Sequence, residues 1–159
     1  MLRLFKNEDA EEVSIMCNNY NIYKSTLSLP YPYTTECADS KLDLKPQLYC
    51  YYKKHLEEGT FISWLAIDNE KIVGTSGISF VEKPPYYSNP YGKIGILSSM
   101  YTLKEYRRKG IARELLDRVI NEAKDYGCGT VQITASDMGV LLYTNYGFDK
   151  NDNFMQYIF

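Results

Sequence analysis

The segment Tyr106-Arg107-Arg108-Lys109-Gly110-Ile111-Ala112 places three cations and a glycine just ahead of a strongly periodic stretch. Residue types in this order suit a phosphorylated ligand. The first N–H groups of a helix have no acceptor within it and carry the positive end of its dipole. Gly110 lacks a Cβ, so the backbone there can approach a pyrophosphate closely, and Arg107, Arg108 and Lys109 add countercharge. The sequence contains neither G-x-x-x-x-G-K-[ST] nor G-x-G-x-x-G, which excludes a nucleoside triphosphate loop and a dinucleotide fingerprint. Taken alone, a short basic turn with one glycine fits an ordinary strand-to-helix loop better than a binding site.

Other residues with chemical potential are less telling. His55 is the single histidine and stands between Lys54 and Glu58 on a predicted helix, a setting that suits a structural or exposed role. Cys17, Cys37, Cys50 and Cys128 are scattered without a C-x-x-C pair, so they are read as free thiols and no metal site is expected. The 16 tyrosines suit a ligand cleft and boundary packing alike. A net charge of −2 argues against a general nucleic-acid binder. No apolar run approaches the ~20 residues a membrane span needs. The N-terminus turns acidic too early for a signal peptide, so the expected location is the cytoplasm.

The elements that must hold the basic turn follow from periodicity. Leu2 and Leu4 open a short strand; Asn7 or Asp9 caps a helix, and Asp9 with Glu12 fits a capping box. Val13, Met16, Cys17, Tyr20 and Tyr23 give that helix one apolar face. A Pro/Tyr/Thr loop fills 26–38. Pro46 suits the first turn of a second helix that Gly59 ends, with Leu48, Tyr52 and His55/Leu56 facing inward. Phe61 to Ile67 and Ile72 to Val81 read as strands joined at Asp68-Asn69-Glu70-Lys71, the second loosened by Gly74 and Gly77. After a Pro- and Tyr-rich excursion, 93–103 completes an antiparallel meander.

The pattern then changes. Ile111, Leu115, Leu116, Val119, Ile120 and Ala123 form a helical stripe, with Glu114 and Arg118 as an i,i+4 pair and Gly127 beyond the last turn. A helical crossover makes the strand Thr130 to Ala135 parallel to 93–103. A helix over 137–146 and a hairpin around Asn151-Asp152-Asn153 complete one domain, 1–159. The fold class is α+β, with a mixed, mostly antiparallel sheet.

Two motifs occur in order: R-x-x-G-x-A at 107–112, and L-Y-x-x-x-G-F at 142–148 after a strand ending in Ala135-Ser136. Together they resemble the GNAT superfamily of N-acetyltransferases, whose order of elements also matches. The resemblance is clearest from Ile94 to Phe148; the first 60 residues match by layout only. It implies flanking helices and a splayed parallel strand pair that binds acetyl-CoA as co-substrate, with no metal. Arg107, Arg108, Lys109, Gly110, Ile111 and Ala112 would hold the pyrophosphate, mainly through backbone N–H groups. Met100, Tyr101 and Thr102 would pair with the pantetheine arm and the acetyl carbonyl, and Tyr143 occupies the general-acid position.

The acid role is chemically reasonable, because a phenol of pKa ~10 is protonated at pH 7 and can donate to a leaving thiolate of pKa ~8.5. Tyr146 is a weaker alternative at the wrong spacing. Ser136 stands where many members have Asn, which shortens its reach to the pantetheine; Gly139 replaces a common Ala without expected consequence. Residues 93–103 contain no Asp or Glu to act as base, leaving Glu82, water or an amine that arrives neutral.

The implied activity is acetyl transfer to a primary amine, on a small molecule or a peptide or protein N-terminus, by direct attack in a ternary complex. Tyr31, Tyr33, Glu36, Tyr86, Tyr87 and Tyr91 are the expected acceptor contacts. A non-catalytic acyl-CoA-binding module is the alternative, and a small nucleic-acid binder using 107–109 a weaker one. Phe154, Met155, Tyr157, Ile158 and Phe159 fit either a homodimer interface or the monomer's own core.

Overall fold

The turn Asp68-Asn69-Glu70-Lys71 forms as expected, with Asn69 and Glu70 at φ of 48° and 66°. Positive φ at both central residues matches the twist of a tight hairpin. It joins β2 (Phe61–Asp68) to β3 (Lys71–Glu82), and β3 returns through 83–92 to β4 (Lys93–Thr102). These three strands pair antiparallel. The short β1 (Leu2–Leu4) lies antiparallel on β2, and β5 (Thr130–Gln132) lies parallel on β4. The sheet order is therefore β1-β2-β3-β4-β5. The computed structural model describes residues 1–17 and 45–150, with side chains from 1–13 and 46–150. The 26–38 loop, Tyr31, Tyr33, Glu36, the Asn151–Asn153 hairpin and the Phe154–Phe159 segment lie outside those residues.

Helices cover both faces. α1 (Ala10–Cys17) and α2 (Lys45–Glu57) enclose Phe5, Val13, Tyr52, Phe61, Leu65 and Ile72. On the other face, α3 (Ile111–Tyr126) packs Leu116 and Val119 against Ile78, Phe80 and Leu97. Leu115, Leu116 and Val119 are fully buried, and burying such a side chain stabilises by about 1.5–3 kcal/mol. α3 ends at Gly127, with φ of 85°, and the Cys128 N–H bonds back to the Ala123 carbonyl at 2.9 Å. That is the glycine-terminated cap the spacing called for.

Three local expectations change. Asp9 does not cap a helix with Glu12. Asn7–Asp9 is a 3-10 turn, and the Asp9 carboxylate accepts from the Lys6 N–H at 2.8 Å and from both Arg3 Nη atoms at 2.6 Å. Burial raises the pKa of this carboxyl, but the bonds from Arg3 and Lys6 outweigh it and hold the group below the ordinary Asp value. Gly74 and Gly77 do not loosen β3. A Cβ on Gly74 would stand 3.2 Å from Leu115 Cδ1, and one on Gly77 would stand 2.6 Å from the Phe61 ring, so both glycines admit close packing at the sheet's centre. Arg118 does not form the expected ion pair with Glu114 but lies over the Trp64 ring at 5.0 Å.

Candidate active site

β5 is shorter than its apolar run suggests, and that difference makes the cleft. Parallel pairing ends at Ile96 with Gln132, yet β4 runs on to Thr102 while the chain beyond Gln132 turns away to α4 (Asp137–Tyr146). Between them opens a cleft of about 320 Å³, lined on one side by Leu97–Thr102 and on the other by Ile133, Thr134 and Ser136.

β4 bends at this point. Thr75 pairs with Tyr101 and Gly77 with Ser98, so Ser99 and Met100 together oppose Ser76. Ser99 takes φ of 52°, a left-handed conformation unusual for a side-chain-bearing residue. A bulge of this kind interrupts the ladder and turns peptide groups out of it. Thr102, 8% exposed on the cleft wall, has its hydroxyl without a hydrogen-bond partner among the described residues. An orphaned buried hydroxyl is costly unless a ligand bonds it.

The basic turn closes one end of the cleft. Gly110 is the residue before α3 and has φ of 85°, and Arg108 has φ of 63°. The Arg113 and Glu114 N–H groups both bond to the Gly110 carbonyl, leaving the Ile111 and Ala112 N–H groups without an intrahelical acceptor. The cations divide in function. Arg107 Nε donates to the Thr102 carbonyl at 3.0 Å, and its guanidinium lies 5.6 Å from the Tyr101 ring. Lys109 lies over the Tyr106 ring at 4.9 Å and is not on the cleft wall. Arg108 lines the cleft.

At the other end stands Tyr143, 7% exposed and edge-on to Phe148 at 5.6 Å. Burial pushes its phenol up to about 12. Its ring lies against Gly139, where a Cβ would come within 2.9 Å of Tyr143 Cε2. Ser136 Oγ accepts from the Gly139 N–H at 3.3 Å, capping α4, which leaves its own O–H free to donate.

Ten of the eleven candidate residues thus meet in one cleft: Met100, Tyr101, Thr102, Arg107, Arg108, Gly110, Ile111, Ala112, Ser136 and Tyr143. Ser99 was missed, because a bulge leaves no mark in local composition. Glu82 pairs with Lys93 at the far end of β4, roughly 20 Å along the strand from the bulge, too far to serve as base. His55 Nδ1 lies 2.7 Å from Thr60 Oγ1, away from the cleft. Tyr146 sits under the Arg113 guanidinium at 5.2 Å, off the cleft wall. Tyr87 and Tyr91 are exposed on the 83–92 turn and do not line the cleft either.

A model of the acetyltransferase (GNAT) family matches residues 20–148. The chain belongs to the GNAT family. It is 31% identical over 105 residues to human N-acetyltransferase 8, covering 62% of this chain and 43% of that protein. Against N-acetyltransferase 8B of Rattus norvegicus the figures are 30%, 64% and 46%. The chain therefore spans less than half the length of these curated relatives. A crystal structure of a predicted acetyltransferase with acetyl-CoA from Clostridium acetobutylicum is 26% identical, with a TM-score of 0.85 over 99% of this chain and 95% of that one. A GCN5-related N-acetyltransferase from Ralstonia eutropha shares the fold at 19% identity and a TM-score of 0.80, over 99% and 97% of the two chains. Among the described residues of this chain no helix is long and apolar enough to cross a membrane.

Proposed function

We propose that this GNAT protein transfers the acetyl group of acetyl-CoA to a primary amine, on a small molecule or a peptide or protein N-terminus, by direct attack within a ternary complex. One observation carries the reading: where β4 and β5 part, a single cleft joins the bare N-terminus of α3 to the buried phenol of Tyr143. The neighbour solved with acetyl-CoA supports the choice of co-substrate. On this reading the chain is one catalytic domain of the cytoplasm that acts on amines and not on nucleic acid.

The co-substrate supplies a thioester whose carbonyl accepts the amine and whose sulfur leaves as thiolate. The Gly110–Ala112 N–H groups take the pyrophosphate, with Arg108 as countercharge. Arg107 ties the end of β4 to the turn, so its side chain shapes the cleft while its backbone faces the ligand. The peptide groups of Met100 and Tyr101 and the Thr102 hydroxyl bond the arm and the acyl oxygen, and the Ser136 O–H donates from the opposite wall. Tyr143 gives its proton to the departing sulfur. The burial that raises the phenol pKa also raises the proton affinity of a thiolate in the same cleft, which preserves the direction of transfer. Among the described residues that line the cleft none is Asp, Glu or His, which favours an amine that arrives neutral or loses its proton to water.

The test is release of CoA, followed with a thiol reagent, from acetyl-CoA and a panel of amines. CoA at 100 times its Kd should also raise thermal stability by about 2.7 kcal/mol. Binding without turnover of any amine would favour the acyl-CoA-binding module, and no binding at all would exclude both. Gly139 has a steric consequence that its place in the motif did not suggest. Gly139→Ala should push the Tyr143 ring aside and lower kcat by about tenfold, with the Kd for CoA unchanged. Unaltered kcat would mean that the ring's position does not matter.

A further inference from the structure

The face of the sheet under α2 reaches the β4 bulge through a stack of rings. Gly77 leaves the space above β3 open, and the Phe61 ring fills it. Tyr52 of α2 packs on Phe61 with ring centroids 5.3 Å apart and on Phe5 at 5.6 Å. With 3% of its surface exposed, Tyr52 has its direction set by these neighbours. Its hydroxyl lies 3.3 Å from the Oγ of Ser99, the residue of the bulge with positive φ.

We propose that Tyr52 is a positioning residue for acyl transfer: bonded to Ser99 Oγ, its hydroxyl holds the bulge in the conformation that offers the Met100 and Tyr101 peptide groups to the acyl carbonyl. This rests on the acetyl-CoA reading given above. A left-handed conformation costs a serine about as much as one hydrogen bond contributes, so a single bond decides whether the bulge keeps it. The pyrophosphate end of the cleft is built from a different element, α3, and does not depend on this contact.

Calorimetric titration of CoA and acetyl-CoA into the wild type, Tyr52→Phe, Ser99→Ala and the double variant tests the idea. The Kd for CoA should rise less than that for acetyl-CoA, because the pyrophosphate end on α3 is untouched and only the arm contacts are shared. The preference for acetyl-CoA over CoA should fall about fivefold in either single variant, the effect of one lost hydrogen bond, and no further in the double variant. An unchanged preference in Tyr52→Phe, or losses that multiply in the double variant, would overturn the proposal. So would a wild type that binds CoA and acetyl-CoA equally, although the cofactor reading would then survive. A wild type that binds neither removes both. Should Tyr52→Phe not fold, Ser99→Ala breaks the same bond from the strand side and decides alone.

Discussion

Gly110→Val is expected to weaken CoA binding by about 5- to 150-fold, corresponding to roughly 1–3 kcal/mol of backbone strain. The reason is conformational. A Cβ on Gly110 meets nothing within 4 Å, so the protein itself raises no steric objection. The φ of 85°, however, lies where a β-branched residue is strongly disfavoured. Valine would therefore rotate the turn out of register and swing the Ile111 and Ala112 N–H groups away from the space a pyrophosphate would occupy. Arg108→Ala gives the contrast. It keeps the backbone demand at φ of 63° and removes one exposed charge, worth about 1 kcal/mol or less, so the loss should be no more than about fivefold. Titration of both variants with CoA settles the order. If Arg108→Ala proves the more damaging, side-chain charge and not the peptide plane holds the phosphate.

Tyr143→Phe should lower kcat by about 10²- to 10⁴-fold, the usual contribution of a positioned general acid. The Kd for CoA should stay within about twofold, because Phe keeps the ring against Gly139 and Phe148. Wild-type kcat in the Phe variant would reduce Tyr143 to a packing residue. The pH dependence gives a second check. With the phenol pushed up to about 12, Tyr143 stays protonated across the working range, and its ionisation should cause no fall in rate between pH 7 and 10. Its stabilising effect has the matching sign. The folded pKa lies above the unfolded value of about 10, so the contribution is complete below pH 10 and disappears as pH rises toward 12. Chemical denaturation across that alkaline window should show a larger loss of stability in the wild type than in Tyr143→Phe.

How much of this could be read from the chain alone depends on the range of the forces involved. The α3 stripe, its Gly127 stop, the Asn69-Glu70 turn and the strands they join were legible, since each reflects the preferences of neighbouring residues. The two motifs were legible as well, and with them the family and the cleft's ten residues. Non-local packing decided the rest. Thr130 to Ala135 is uniform enough to read as one strand, yet its pairing with β4 ends at Gln132, ahead of the bulge at Ser99 and Met100. The Ser99 bulge comes from two strands falling out of step, which neither strand encodes separately. Gly77 is a weak point by composition, yet Phe61 of the neighbouring strand fills the space it leaves, and Tyr52, by pattern one more core aromatic, brings its hydroxyl to Ser99. Local periodicity names the elements and the ligand they suit. The conformation of the groups that would touch the acyl carbon is set by contacts between residues tens of positions apart, where no sequence window reaches.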